Sequence, residues 1–232
     1  MQRPGKHRTH DIIMSDYPTT ERTRVGRIPK RAVYDRAQVH AILDEGFLCH
    51  VGFVADGHPY VIPTGYVRAD EKIYIHGSAA SRMLRTLDQG IDVCVTVTIV
   101  DGFVLARSVF HHSMNYRSVV MLGTARAVTA RDEKLDALRS FTNHIVPARW
   151  QEARQPNDQE LKATTVLMLR LEEVSAKVRT GPPLDEDEDY ALPVWAGVVP
   201  LSMRAGQPVA DERMLPGIPE LDLMRLTRFR KS

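Results

Sequence analysis

The chain has 232 residues, 43% of them hydrophobic, and a formal net charge of +2. That length supports one good core with appendages, and the balanced charge excludes a fold that is as a whole a polyanion-binding surface. No apolar run approaches the ~18 residues that span a bilayer, and Pro4-Gly5-Lys6-His7-Arg8 with no apolar segment behind it does not read as a signal peptide, so a cytoplasmic protein without membrane contact is expected.

Residues 1–33 form a polar, turn-rich, basic arm. Arg3, Lys6, Arg8, Arg22, Arg24, Arg27, Lys30 and Arg31 stand against Asp11, Asp16 and Glu21, with Ile12-Ile13-Met14 as the apolar spot. Such an arm is either solvated or touches nucleic acid or the acidic patch of a partner. A helix follows over Arg36–Glu45, with Val39, Ile42 and Leu43 on one face and Gly46 at its end. Strands then dominate. Phe47–Val54 and Tyr60–Arg68 flank the hairpin signal Asp56-Gly57, Glu71–His76 is a third strand, and Ala79–Asp88 a helix stopped by Gly90.

Val93, Val95, Val97 and Ile99 alternate with Cys94, Thr96, Thr98 and Val100, the period of a strand. Asp101-Gly102 is expected to turn the chain into a strand over Phe103–Phe110, with a loop at His111–Tyr116 and a further strand over Arg117–Val128. Helices are expected over Arg131–His144 and Asp158–Ala163, and strands over Thr165–Leu171 and Ser175–Arg179. Hairpin-like connections argue against a doubly wound sheet and for a small antiparallel barrel with peripheral helices. Cys49 and Cys94 sit in apolar runs and read as buried thiols, with neither a disulfide framework nor metal-ligand companions.

The segment Ile75-His76-Gly77-Ser78-Ala79-Ala80-Ser81-Arg82-Met83 is a strand end followed by hydroxyls and a helix start, a plausible seat for a phosphate. The plainer alternative is an ordinary strand-to-helix turn with Ser78 or Ser81 as cap and Arg82 in solvent. His111-His112 lacks a third ligand at helpful spacing, so no metal is expected; the pair offers an imidazole for proton transfer or forms a polar loop. Asn115-Tyr116-Arg117-Ser118 groups an amide, a ring, a guanidinium and a hydroxyl that suit a polar heteroaromatic. Trp195 suits a pocket rim, a subunit interface or plain packing. Dinucleotide fingerprint, Walker A loop, nucleophile elbow and zinc helix are all absent.

Six segments in order resemble the flavin-nucleotide-binding branch of the pyridoxamine 5′-phosphate oxidase-like superfamily, the group that includes nitroimidazole-resistance proteins. They are Ile42–Gly46, Pro59–Thr64, Tyr74–Met83, His111–Val119, Ser175–Gly181 and Leu192–Gly197. The resemblance implies a mainly β fold, a six-stranded antiparallel split β-barrel over residues 34–200 with a C-terminal extension at 201–232. It also implies a homodimer with FMN in clefts at the subunit interface.

By the same resemblance Pro63 and Thr64 run along the isoalloxazine, and Ser78, Ser81 and Arg82 reach the phosphate. Arg117 and Ser118 lie near the ring or ribityl chain, and Trp195 closes the pocket. His76, His111 and His112 are the candidates for a catalytic side chain facing substrate, and His76 also for contact with the cofactor. The C-terminus carries Arg225, Arg228 and Arg230 but no histidine after His144, which departs from the vitamin-forming oxidases. The expected activity is electron transfer between FMN and a small conjugated organic substrate, nitroreductase-like, with NADH, NADPH or a deazaflavin as donor. Two alternatives stay open: a flavin store without turnover, and a haem-binding or regulatory use of the barrel. Nucleic acid is not an expected partner of the barrel.

Overall fold

The computed structural model describes residues 16–226. A two-residue strand β1 (Ala32–Val33) leads into helix α1 (Arg36–Glu45). The Asp35 carboxylate caps α1 by accepting from the Gln38 amide at 2.8 Å, which satisfies a first-turn N–H. The helix buries Val39, Ile42 and Leu43 and ends where the Gly46 N–H donates to the Ile42 carbonyl. Strands β2 (Leu48–Ala55) and β3 (His58–Ala69) follow, joined by Asp56-Gly57 with φ of 52° and 76°. Two positive φ values make the turn whose twist matches the hairpin's strands.

Strand β4 (Lys72–Ser78), the short helix α2 (Arg82–Leu87) and the long strand β5 (Asp92–Leu105) come next. Strand β6 (Ser113–Thr124) runs past Ala125 into β7 (Arg126–Ala127). Helices α3 (Arg131–Ile145), α4 (Arg149–Glu152) and α5 (Asp158–Ala163) precede β8 (Thr164–Arg170), β9 (Glu173–Arg179) and the late β10 (Gly197–Pro200). Asn157 and Glu160 form a reciprocal capping box at the start of α5.

The strands make one antiparallel sheet in the order β1-β9-β6-β5-β2-β3-β4-β8-β7, with β10 added beside β5. It curls into an open half-barrel. Along β3 the partner changes: residues 58–65 pair with β2 and residues 66–69 with β4. Inward positions on β2, β4, β5 and β8 fill the core with Val51, Ile73, Val95 and Leu167, and α2 seals one end with Leu84 and Leu87. A second cluster, Val67, Tyr74, Val128, Ala137 and Val166, lies under α3.

Where β3 parts from β4, Phe141 of α3 fills the gap. Its ring meets His76 edge-on at 4.3 Å between centroids, and a Cβ on Gly65 would lie 2.8 Å from its Cζ. Nearby, the Tyr66 hydroxyl donates to the Leu43 carbonyl at 2.6 Å and lies 2.5 Å from where a Gly46 Cβ would be. Both glycines are sites of close approach, which a side chain would obstruct.

Several expectations are corrected. Among the described residues there are ten strands, not six; three of them, β1, β7 and β10, have four residues or fewer, too short to register a period. Asp101-Gly102 does not turn the chain. β5 passes through it with a register shift between Val100 and Gly102, a bulge that absorbs one residue. The expected strand over Phe103–Phe110 therefore ends at Leu105, and the expected loop after it is largely β6, which begins at Ser113. The helix expected from Ala79 begins at Arg82.

Residues 16–33 of the basic arm lie against the sheet. Tyr17 is buried and bonded to His40 and Glu71, and Arg22 pairs with Glu173. Arg3, Lys6, Arg8 and Ile12-Ile13-Met14 lie outside the described residues, as do Arg228 and Arg230. Cys49 is buried and its thiol is pushed up to about 12 by desolvation, whereas Cys94 is only half-buried. Among the described residues no helix is long and apolar enough to cross a membrane.

Gly65→Ala should lower the free energy of unfolding in urea by about 1–3 kcal/mol, because the ring of Phe141 cannot give way cheaply. Gly26→Ala, where nothing lies within 4 Å, should stay within about 0.5 kcal/mol of wild type.

Candidate functional site

At the end of β4 the chain makes a hydroxyl-rich corner. Ser78 Oγ accepts from the Ala80 amide at 3.2 Å, and the Ser81 amide donates to the Ser78 carbonyl at 2.8 Å. Ser81 caps α2 through a long bond of 3.5 Å from the Leu84 amide. Arg82 is exposed, and its guanidinium carbon stands 4.8 Å from the centroid of the Tyr60 ring, a cation–π contact. Tyr60 in turn stacks on Phe53 at 5.5 Å. Arg82 has no carboxylate partner among the described residues, so its charge is unspent.

His76 lies one strand position before this corner, half-buried against Phe141. Burial pushes its pKa down from 6.5, so the ring is neutral at neutral pH. Thr64 pairs with the buried Cys49 on the inner side of the hairpin, and Pro63 pairs with His50 on the outer side.

On the outer face of β2 and β5 lies a groove of about 810 Å³. The C-terminal end of α1 closes one side, and residues 200–204, which follow β10, close the other. Leu48, His50 and Val100 are exposed in it, with Leu201, Met203 and Arg204 opposite. Arg117 reaches its floor held by two carboxylates. Glu45 accepts at 2.6 and 2.9 Å, and Asp101 at 2.6 and 2.9 Å. These forked bonds, first to Glu45 and then to Asp101, raise the pKa of Arg117. Two carboxylates against one guanidinium leave the cluster net anionic, so Arg117 is not a free anion receptor. Ser118 is half-buried beside it and bonds weakly to the Lys177 carbonyl at 3.4 Å.

The remaining candidates gather at the far end of β5. His112 Nδ1 lies 3.0 Å from the Ser108 carbonyl, and His111 Nε2 lies 3.5 Å from Glu186. Asp185 anchors this turn by accepting from the Arg107 and Ser108 amides at 3.0 and 3.1 Å. Trp195 is exposed and folds its indole back over Gly197, 3.0 Å from where a Cβ would stand.

The expected residues thus fall into three groups strung along β5. Tyr60, under Arg82, is linked through Phe53 to Val93, while Ser113 pairs with Val104 and Gly197 with Leu105. At ~3.3 Å per residue, roughly 35 Å of strand length along β5 separates the positions beside Arg82 from those beside the His112–Trp195 group. His50, Glu45, Asp101 and residues 200–204 were not expected. An outward histidine on a strand was visible in the alternation of β2, but the groove depends on how residues 200–204 return to the sheet.

A family model described as pyridoxamine 5′-phosphate oxidase matches residues 35–178. The chain belongs to that family. Its superfamily is the flavin-binding split barrel. Within the superfamily, the chain is 41% identical to the flavocytochrome Anf3 from Azotobacter vinelandii, covering 92% of this chain and 98% of that one with a TM-score of 0.84. It is 38% identical to an FAD and heme binding protein from Mycobacterium smegmatis, covering 84% and 96% with a TM-score of 0.80. A Bacteroides thetaiotaomicron protein described as a 5-nitroimidazole antibiotic resistance protein shares the fold, with 21% identity, 63% and 86% coverage and a TM-score of 0.54. No curated protein matches the chain.

The depressed pKa of His76 has a consequence for stability. The unfolded chain takes up a proton near pH 6.5 that the folded ring refuses, so the His76 contribution is present above pH 6.5 and lost as pH falls. In urea titrations from pH 7.5 to 5, the stability of wild type relative to His76→Gln should fall on acidification. A difference that stays constant with pH would contradict it.

Proposed function

We propose that the chain is a flavin-dependent electron-transfer protein that also carries a haem and works as a homodimer. The carrying observation is Arg82, an exposed guanidinium without a carboxylate partner beside two serine hydroxyls and the Tyr60 ring. A flavin phosphate fits that donor set: the guanidinium forks two oxygens, and Ser78 or Ser81 adds a hydroxyl. FMN and FAD present the same first phosphate. FAD is the flavin proposed, since a relative at 38% identity is named for it.

The groove supports the second cofactor. A volume of about 810 Å³ with apolar walls, the Glu45–Arg117–Asp101 cluster on its floor and Arg204 at its edge, fits a planar macrocycle whose carboxylates point to the Arg204 edge, away from that floor. The saturated Arg117 leaves Arg204 as the cation free to meet them. A bound flavin supplies hydride and single-electron chemistry, and a bound haem single-electron chemistry. The chain's own part is to anchor, to orient and to supply protons. His76, kept neutral by burial, and the exposed His112 are the imidazoles available for proton transfer to a small conjugated substrate. Electrons would come from a reduced nicotinamide or deazaflavin.

The spread of the candidates along β5 supports the dimer. Arg82 and Trp195 lie toward opposite ends of that strand, and in a two-fold pairing one protomer's Arg82 would meet its partner's far end. Leu48, Val61 and Val100, exposed apolar side chains on the outer sheet face, are suited to such a contact.

Absorbance and mass analysis of the purified protein tests the reading. One FAD per chain is expected, and Arg82→Ala should weaken flavin binding by about tenfold or more, as loss of a charge-assisted bond does, without lowering stability. Unchanged affinity would place the phosphate elsewhere, and a colourless protein from cofactor-replete cells would overturn the proposal.

A further inference from the structure

We infer that His50 is the haem's axial ligand, an assignment that rests on the haem part of the function proposed above. Of the histidines among the described residues, His50 is the one that lines the groove. Its imidazole has no hydrogen bond, ion pair or ring contact with any described residue, although it stands on a central strand. An exposed imidazole among apolar walls is the donor that a haem iron takes from a protein most often.

The other histidines are spent or misplaced. His40 Nε2 lies 2.8 Å from the Tyr17 hydroxyl and 3.3 Å from Glu71, and burial holds its pKa down. His144 Nε2 is 2.7 Å from the Gly46 carbonyl. His76 is wedged against Phe141 on the far side of β3, and His58 lies on the exposed β2–β3 turn. His111 Nε2 faces Glu186 at 3.5 Å, and His112, on the same exposed turn, does not line this groove.

The backbone around His50 is built to hold a ligand still. β2 is hydrogen-bonded on both sides there, with Pro63 opposite on β3 and Thr96 opposite on β5. Sites on paired strands hold geometry better than sites on loops. The walls are Leu48 from the same strand, Val100 from β5 and Leu201 from the returning segment, apolar side chains exposed in the groove that a bound macrocycle would cover.

The test uses full-length protein titrated with haemin and read by the Soret band and by electron paramagnetic resonance. Wild type should bind one haem per chain. His50→Ala should bind haemin at least tenfold more weakly or with a shifted Soret band and altered spin state, and His50→Gly should regain the wild-type spectrum on adding free imidazole. His112→Ala should match wild type. Equal flavin content in all variants shows that they are folded. A His50→Ala protein with wild-type affinity and spectrum overturns the ligand assignment while leaving the haem in place. A wild type that takes up no haemin overturns the haem reading and the assignment with it.

Discussion

Strand β3 gives the first part of its length to one neighbour and the last part to another, and most of this molecule follows from that division. Its first eight residues bond to β2 and its last four to β4. Backbone N–H and C=O groups must find partners, so the change of partner forces β3 and β4 apart and bends the sheet. The wedge so opened is filled by Phe141 over Gly65 and His76, and it is tied to α1 by the Tyr66 hydroxyl on the Leu43 carbonyl. The hydroxyl corner at Ser78–Arg82 lies at the parted end of β4. The groove lies on the other side of the hairpin, on its outer face.

That division also sorts the charges. Arg117 is consumed by Glu45 and Asp101, whereas Arg82 has only an aromatic face. The resemblance put Arg82 at the phosphate and Arg117 near the ring or ribityl chain, and residue type alone does not show that the charge of Arg117 is already taken. A guanidinium between two carboxylates is a clamp that fixes α1 to β5 and β6, and it sets the groove floor rather than holding a phosphate. The proposed phosphate corner therefore rests on Arg82 and its neighbouring hydroxyls.

Much of the fold was legible in the chain. The end of α1 follows from Gly46, the β2–β3 turn from Asp56-Gly57, and the core face of β5 from alternating valines. These are local signals that need only a cap, a positive φ or a period of two. What could not be read is non-local. Asp101-Gly102 has the composition of a turn, yet β6 and β10 pair on either side of it and hold β5 straight through a bulge. The short strands β1 and β10 exist only because a neighbour's edge was available. The outward His50 is an ordinary strand residue until residues 200–204 make the surface over it concave.

On the proposed reading, Arg82 and His50 stand on the two faces of one hairpin, and electrons would pass between a flavin held by the first and a haem held by the second. Anaerobic reduction of the purified, cofactor-loaded protein, followed across the flavin band and the Soret region together, tests this most directly. Reducing equivalents that bleach the flavin should also shift the Soret band, in wild type and not in His50→Ala. Complete bleaching of the flavin in wild type with an unmoved Soret band, or with none, would contradict the account.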